Sequence, residues 1–110
     1  MVCTDMPGGE TSMKFMQVIE YRTSRYDEAN KVVDAWLAQT EGKRTVAQGF
    51  TGRDRDEPDR YFDVIVFRSY EEAMRNNDLP ETQALAEKMA SLCDGEVTFH
   101  NLDVVREDNS

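Results

Sequence analysis

Residues 60–69, RYFDVIVFRS, constrain this chain more than any other stretch. Six of the seven positions 61–67 are apolar or aromatic, and only Asp63 interrupts them. A run rich in Val, Ile, Phe and Tyr reads as a β-strand. Its lack of strict alternation predicts a central strand, with both faces partly covered. Such a strand needs neighbours on both sides and a second layer above it.

The rest of the chain supplies those parts in a definite order. KFMQVIEYRT (14–23) reads as a first strand. Ser24 with Asp27 fits a capping box, and Tyr26, Ala29, Val32, Val33, Trp36 and Leu37 then recur at helical spacing. Gly42 is the expected stop, with Lys43 and Arg44 near the negative end of the helix dipole. RTVAQGFTGR (44–53) is a weaker strand, and RDRDEPD (53–59) is a charged turn leading into the strong one. Ser69 and Glu72 form a second capping box, opening a helix that carries Ala73 and Met74. Pro80 breaks this helix at Leu79, and the Asp78–Glu81 pair predicts a restart. Leu85, Met89 and Leu92 line one face of the continuation, beside Ala86, Ala90 and Cys93, and Gly95 ends it. EVTFHNLDVVRE (96–107) reads as the last strand.

The order β-α-β-β-α-β predicts a ferredoxin-like α+β sandwich as a single domain over 14–107. Residues 1–13 read as a disordered extension, in which Met13 offers an alternative start, and 108–110 as a frayed end. Right-handed crossovers place both helices on one sheet face. The other face is left bare, and on strand one either parity set is substantially apolar: Phe15, Gln17, Ile19 and Tyr21, or Met16, Val18, Glu20 and Arg22. A bare apolar sheet face predicts a partner, most economically a second copy of the chain.

Charge and composition narrow the function classes. With 22 acidic against 13 basic residues the net charge is −9, which disfavours nucleic acid and anionic membranes. No run of 18 apolar residues is present to span a bilayer. Cys3 and Cys93 form no CxxC motif, and with one histidine they make no zinc site. The opening MVCTDMPGGETS has no basic n-region or apolar h-region, so it does not read as a signal peptide. These features read as a reduced, cytoplasmic protein.

MQVIEYR in strand one, RYFDVIVFRSYEEAM across strand three and the second helix, LPETQALAEKM, and the closing FHNLDVVRE carry a resemblance. Over residues 14–107 the chain resembles the dimeric α+β-barrel superfamily, and within it the antibiotic-biosynthesis-monooxygenase-like proteins. The resemblance implies a homodimer joined sheet to sheet into a barrel. It also implies a pocket in each protomer, between sheet and helices, for a small aromatic or polyketide-like molecule. Oxygenation without a metal or organic cofactor, cyclisation and haem degradation are the activities it suggests. A non-catalytic small-molecule-binding or stress-associated dimer is the alternative. The family's pocket-facing strand amide falls on Gln17, and its second-helix amide on Asn76 or Asn77. The tryptophan that oxygenase members carry there is absent from MRNNDLP, and no histidine stands on the second helix to ligate haem.

The candidate residues each have a structural alternative. His100, the sole histidine, suits a general acid or base, or a hydrogen-bonded strand residue at a rim or interface. Asp63 reads either as a rim carboxylate paired with Arg22, Arg60 or Arg68, or as a buried acid of raised pKa suited to take a phenolic proton. Gln17 and Asn101 either hold a ligand oxygen or cross-link strands and subunits. Tyr21 and Trp36, with Tyr61 and Tyr70, offer an aromatic lining, although Trp36 lies on the core stripe of helix one. Met16, Met74 and Met89 read as core gap-fillers.

Overall fold

The computed structural model describes residues 13–108. The expected tail therefore lies almost wholly outside the described residues, as do Cys3 and the last two positions. The chain runs β1 (Phe15–Arg22), α1 (Tyr26–Gln39), β2 (Val46–Arg53), β3 (Arg60–Phe67), α2 (Tyr70–Asn77), α3 (Pro80–Leu92) and β4 (Thr98–Asp103). The sheet has the order β2-β3-β1-β4 with every neighbouring pair antiparallel. This is the ferredoxin-like arrangement, and RYFDVIVF occupies the inner position its composition predicts. The last strand is shorter than expected. It pairs only with β1, and the ladder ends where Val104 donates to the Lys14 carbonyl at 2.9 Å.

Helix boundaries follow local chemistry, with two corrections. Ser24 does not cap α1. Its N–H donates to Asp94 Oδ2 at 3.1 Å, and Arg25 takes the cap position without a side-chain bond. Thr23 organises this turn instead, accepting from Arg25 N at 3.0 Å while donating to the Leu92 carbonyl at 2.6 Å. At the far end of α1 the buried Thr40 donates to the Trp36 carbonyl, and Gly42 follows in the turn at φ +81°. Only glycine adopts that left-handed conformation without strain.

Ser69 caps α2 as expected, accepting from Glu72 N at 3.2 Å. Asp78 does not cap the restart. It closes α2, and Leu79 precedes α3 at ψ 131°. Pro80 causes this, because its ring forces the preceding residue out of the helical region while its own fixed φ suits a first helical position.

The helices cover one face. Phe15, Phe67 and Ala73 form a buried cluster with Val46 and Ile65, and Tyr70 meets Phe15 edge-on at 5.2 Å. At the opposite end Tyr21, Tyr61 and Tyr26 stack in series, with centroids 5.8 and 4.5 Å apart. α1 and α3 pack on each other, and Trp36 Nε1 donates to Thr82 Oγ1 at 3.0 Å across that seam. Leu37 and Met74 are not core residues. They are 39% and 42% exposed on the outer sides of their helices.

Candidate functional site

Side chains alternate between the two faces of a strand, and residues paired across an antiparallel ladder share a face. The register therefore assigns every strand residue. Phe15, Gln17, Ile19 and Tyr21 lie beneath the helices, with Phe67, Ile65, Asp63 and Tyr61 beside them on β3 and Phe99 and Asn101 on β4. Met16, Val18 and Glu20 face the other way, with Val66, Val64, Phe62, Leu102 and His100.

The helix-side face is unevenly covered. Its two ends are closed by the buried rings of Phe15 and Phe67 and of Tyr21 and Tyr61. Gln17, Ile19, Asp63 and Ile65, between those ends, are only half-buried. The flanks are open, since Thr51 on β2 is exposed and Phe99 on β4 is 53% exposed. The result is a half-covered stretch of sheet with an apolar floor, aromatic ends and polar groups at two levels.

Asp63 supplies the first level. Tyr21 Oη donates to its Oδ1 at 3.1 Å, and Thr51 Oγ1 donates to the same oxygen at 2.9 Å. No protein donor of the described residues is bonded to Oδ2. Burial raises the Asp63 pKa, and the Thr51 and Tyr21 hydrogen bonds offset that only in part. The arginines do not pair with it. Arg60 bonds Glu20 at 2.7 Å and Arg22 bonds Asp59 at 3.0 Å, both from the opposite face. Burial, reinforced by the Asp63 charge, pushes the Tyr21 phenol far above its usual range, so Tyr21 stays a donor. Burial also raises the neighbouring Cys93 thiol, leaving it protonated rather than nucleophilic.

The second level is two residues along β1, about 7 Å away. There Gln17 Nε2 donates to Asn101 Oδ1 at 3.0 Å. The pair fixes both amides in orientation. One carbonyl oxygen and one amide nitrogen remain for a third party.

The structure thus brings together Gln17, Asn101, Tyr21 and Asp63, and separates the other four candidates from them. His100 lies across the sheet from Asp63, so the two cannot address one ligand. Asn76 is buried, and its Oδ1 accepts from Thr45 N at 3.2 Å, tying α2 to the start of β2. Asn77 is exposed, and its carbonyl accepts from Gln83 Nε2. Trp36 is committed to the α1–α3 seam. Thr51 escaped the sequence reading. Counting back across the hairpin from Asp63 would have found it, because β2 pairs Thr51 with Asp63.

Two shallow depressions of about 360 and 310 Å³ run along the outer seam between α1 and α3, bordered by Lys31, Val32 and Lys88. Neither includes a residue of the Asp63 or Gln17 levels; the second also takes in Trp36 and Glu81, whose Oε1 is buried without a hydrogen-bond partner. Among the described residues no three His, Cys, Asp or Glu side chains gather as metal ligands, and no helix is long and apolar enough to cross a membrane.

Solved structures share this arrangement. SnoaB of Streptomyces nogalater, a cofactor-independent oxygenase solved as an asparagine-to-alanine variant, superposes with a TM-score of 0.74 at 13% identity, over 87% of this chain and 97% of that one. A Caulobacter crescentus protein provisionally described as an antibiotic biosynthesis monooxygenase gives 0.74 at 15% identity, over 86% and 92%. Rv0793 of Mycobacterium tuberculosis gives 0.71 at 11% identity, over 87% and 99%. No protein-family model and no curated protein matches the sequence. The chain therefore has the ferredoxin-like fold of antibiotic-biosynthesis-monooxygenase-like proteins.

Proposed function

We propose that the chain is a homodimer joined through its open sheet face, and that the half-covered stretch beneath each protomer's helices oxygenates a small phenolic aromatic without a cofactor. One observation carries this reading: a half-buried carboxylate of raised pKa, held by two hydroxyls on one oxygen, with its other oxygen bonded to no donor among the described residues. Asp63 Oδ2 takes the acidic proton of the substrate, and the resulting carbanion-like ring carbon reduces oxygen directly. A basicity raised toward neutrality serves that transfer better than an ordinary aspartate. The Gln17–Asn101 pair holds the substrate oxygen on which charge accumulates. The oxygenase activity of SnoaB, on the same fold, supports the reaction class. Dimerisation is supported by the apolar open face, where Phe50 is 57% and Leu102 41% exposed.

Oxygen uptake with dihydroxynaphthalenes and anthrones tests the reading. Wild-type protein consumes oxygen and Asp63→Asn does not. The open flanks of this stretch favour a second reading, a binding protein that does no chemistry, because a carbanion needs water kept away. Saturable phenol binding without oxygen uptake selects that reading.

A further inference from the structure

The open face carries one group of a kind that changes charge near neutral pH. Register sets His100 of β4 directly opposite Val18, near the centre of β1, with Leu102 and Met16 paired at the next level. Its side chain is exposed in the single chain. A second sheet laid on Val18 and Val64 covers it too, because β4 is one strand spacing, about 4.8 Å, from β1. Within the strands this face has three other charged groups: Glu20 and Arg22 on β1 and Arg60 on β3. β2 offers Gln48, Phe50 and Gly52, and β4 adds only Thr98 and Leu102. Glu20, the one carboxylate among them, is held by Arg60 at 2.7 Å. It lies on the diagonal from His100, about 7–8 Å away. Arg22 is turned to Glu57 and Asp59.

We propose, resting on the open-face homodimer, that this dimer is a pH-sensitive switch: it assembles with His100 neutral and separates as both imidazoles take a proton. A two-fold dimer buries the same patch from each copy. Whatever rotation relates the copies, the only strand carboxylate added is a second Glu20, already held by its own Arg60. A protonated imidazole in that interface gives up its water with no anion to replace it, whereas a neutral one gives up far less. The dimer therefore binds fewer protons than two monomers. Its stability is complete above the range in which free imidazole titrates, about pH 6.5, and is lost as pH falls through that range. The rest of the chain acts in the opposite direction. At net charge −9, acidification lowers the repulsion between copies and favours association. Weakening in acid thus belongs to a group that must stay neutral.

Sedimentation velocity over a concentration series, at about pH 7.5 and about pH 5.5, tests this, with far-UV circular dichroism following the fold. Wild-type protein is a dimer at the higher pH. At the lower pH it stays folded and its dissociation constant rises about 100-fold, a factor of about ten for each imidazole. His100→Gln, which takes no proton, forms a dimer that does not weaken in acid. His100→Lys, charged throughout, weakens the dimer already at the higher pH. A wild-type dimer that holds or tightens in acid, or a His100→Gln dimer that weakens as much as wild type, overturns the switch and leaves the dimer standing. Wild-type monomers at both pH values overturn the dimer, and the switch with it.

Discussion

The two faces of one sheet solve opposite problems with the same strands. Beneath the helices, apolar and aromatic residues close the ends and polar groups occupy the middle: Asp63, Tyr21 and Thr51 at one level, Gln17 and Asn101 at the next. On the open face the middle is largely apolar, with Val18, Val64 and Val66 beside Phe50 and Leu102 and with His100 and Gln48 at its flanks, and the charges gather at one end. There Arg60 lies over the Phe62 ring at 5.0 Å and contacts Glu20, Asp54 and Glu57. On the proposed reading, a polar middle between closed ends suits a molecule smaller than the sheet, and a largely apolar middle with a charged end suits a second sheet.

Substitutions break this contrast in a definite order. Val64→Asp on the open face should do most, because a carboxylate buried against a second sheet without a partner costs several kcal/mol. Analytical ultracentrifugation should then show monomers; an unchanged dimer would place the interface elsewhere. Asp63→Asn, the next residue on the other face, should leave the dimer intact and lower oxygenase turnover by about 100-fold or more. The same variant should be more stable than wild type at neutral pH. A carboxyl whose folded pKa is raised supports the fold below its unfolded pKa and loses that contribution as pH rises through the folded value. The gain should therefore vanish in acid, as thermal melts across pH will show.

Tyr21→Phe removes one of the two bonds that oppose burial at Asp63. It should cost about 1 kcal/mol of stability and shift the rise of turnover with pH toward alkaline values. A profile that does not move would mean that Tyr21 is packing alone. The smallest effect belongs to His100→Ala, which should leave turnover within about two-fold, since the sheet separates His100 from Asp63. Loss of activity there would erase the distinction between the faces.

Much of this was legible in the sequence where the signal is local. RYFDVIVF announced an inner strand, Ser69 with Glu72 announced a helix start, and Pro80 announced a break, because each effect operates within four residues. Ser24 and Asp78 carried the same letters and did not cap, since Asp94 claimed one backbone N–H and the other residue closed the preceding helix. The site was less legible because it depends on parity. A shift of one residue exchanges the faces, so Asp63 and His100 looked equivalent until register was known. The partners of Asp63 are the clearest case. Charge suggested arginines, and geometry delivered two hydroxyls, because Arg22 and Arg60 project from the opposite face to Asp59 and Glu20.

The two ends of the domain meet. Lys14 Nζ reaches Glu107 Oε2 at 2.9 Å, one residue before β1 and four beyond β4, beside the backbone bond from Val104 to Lys14. A covalent tie between them would therefore close a ring at little entropic cost. New termini cut into the charged turn around Arg55 and Asp56 would leave every strand pairing intact. Two copies could equally be read in one frame as a tandem, with each sheet supplied to the other at fixed effective concentration. Joining the chain at this seam should therefore give a circular permutant or a tandem that keeps the same interior.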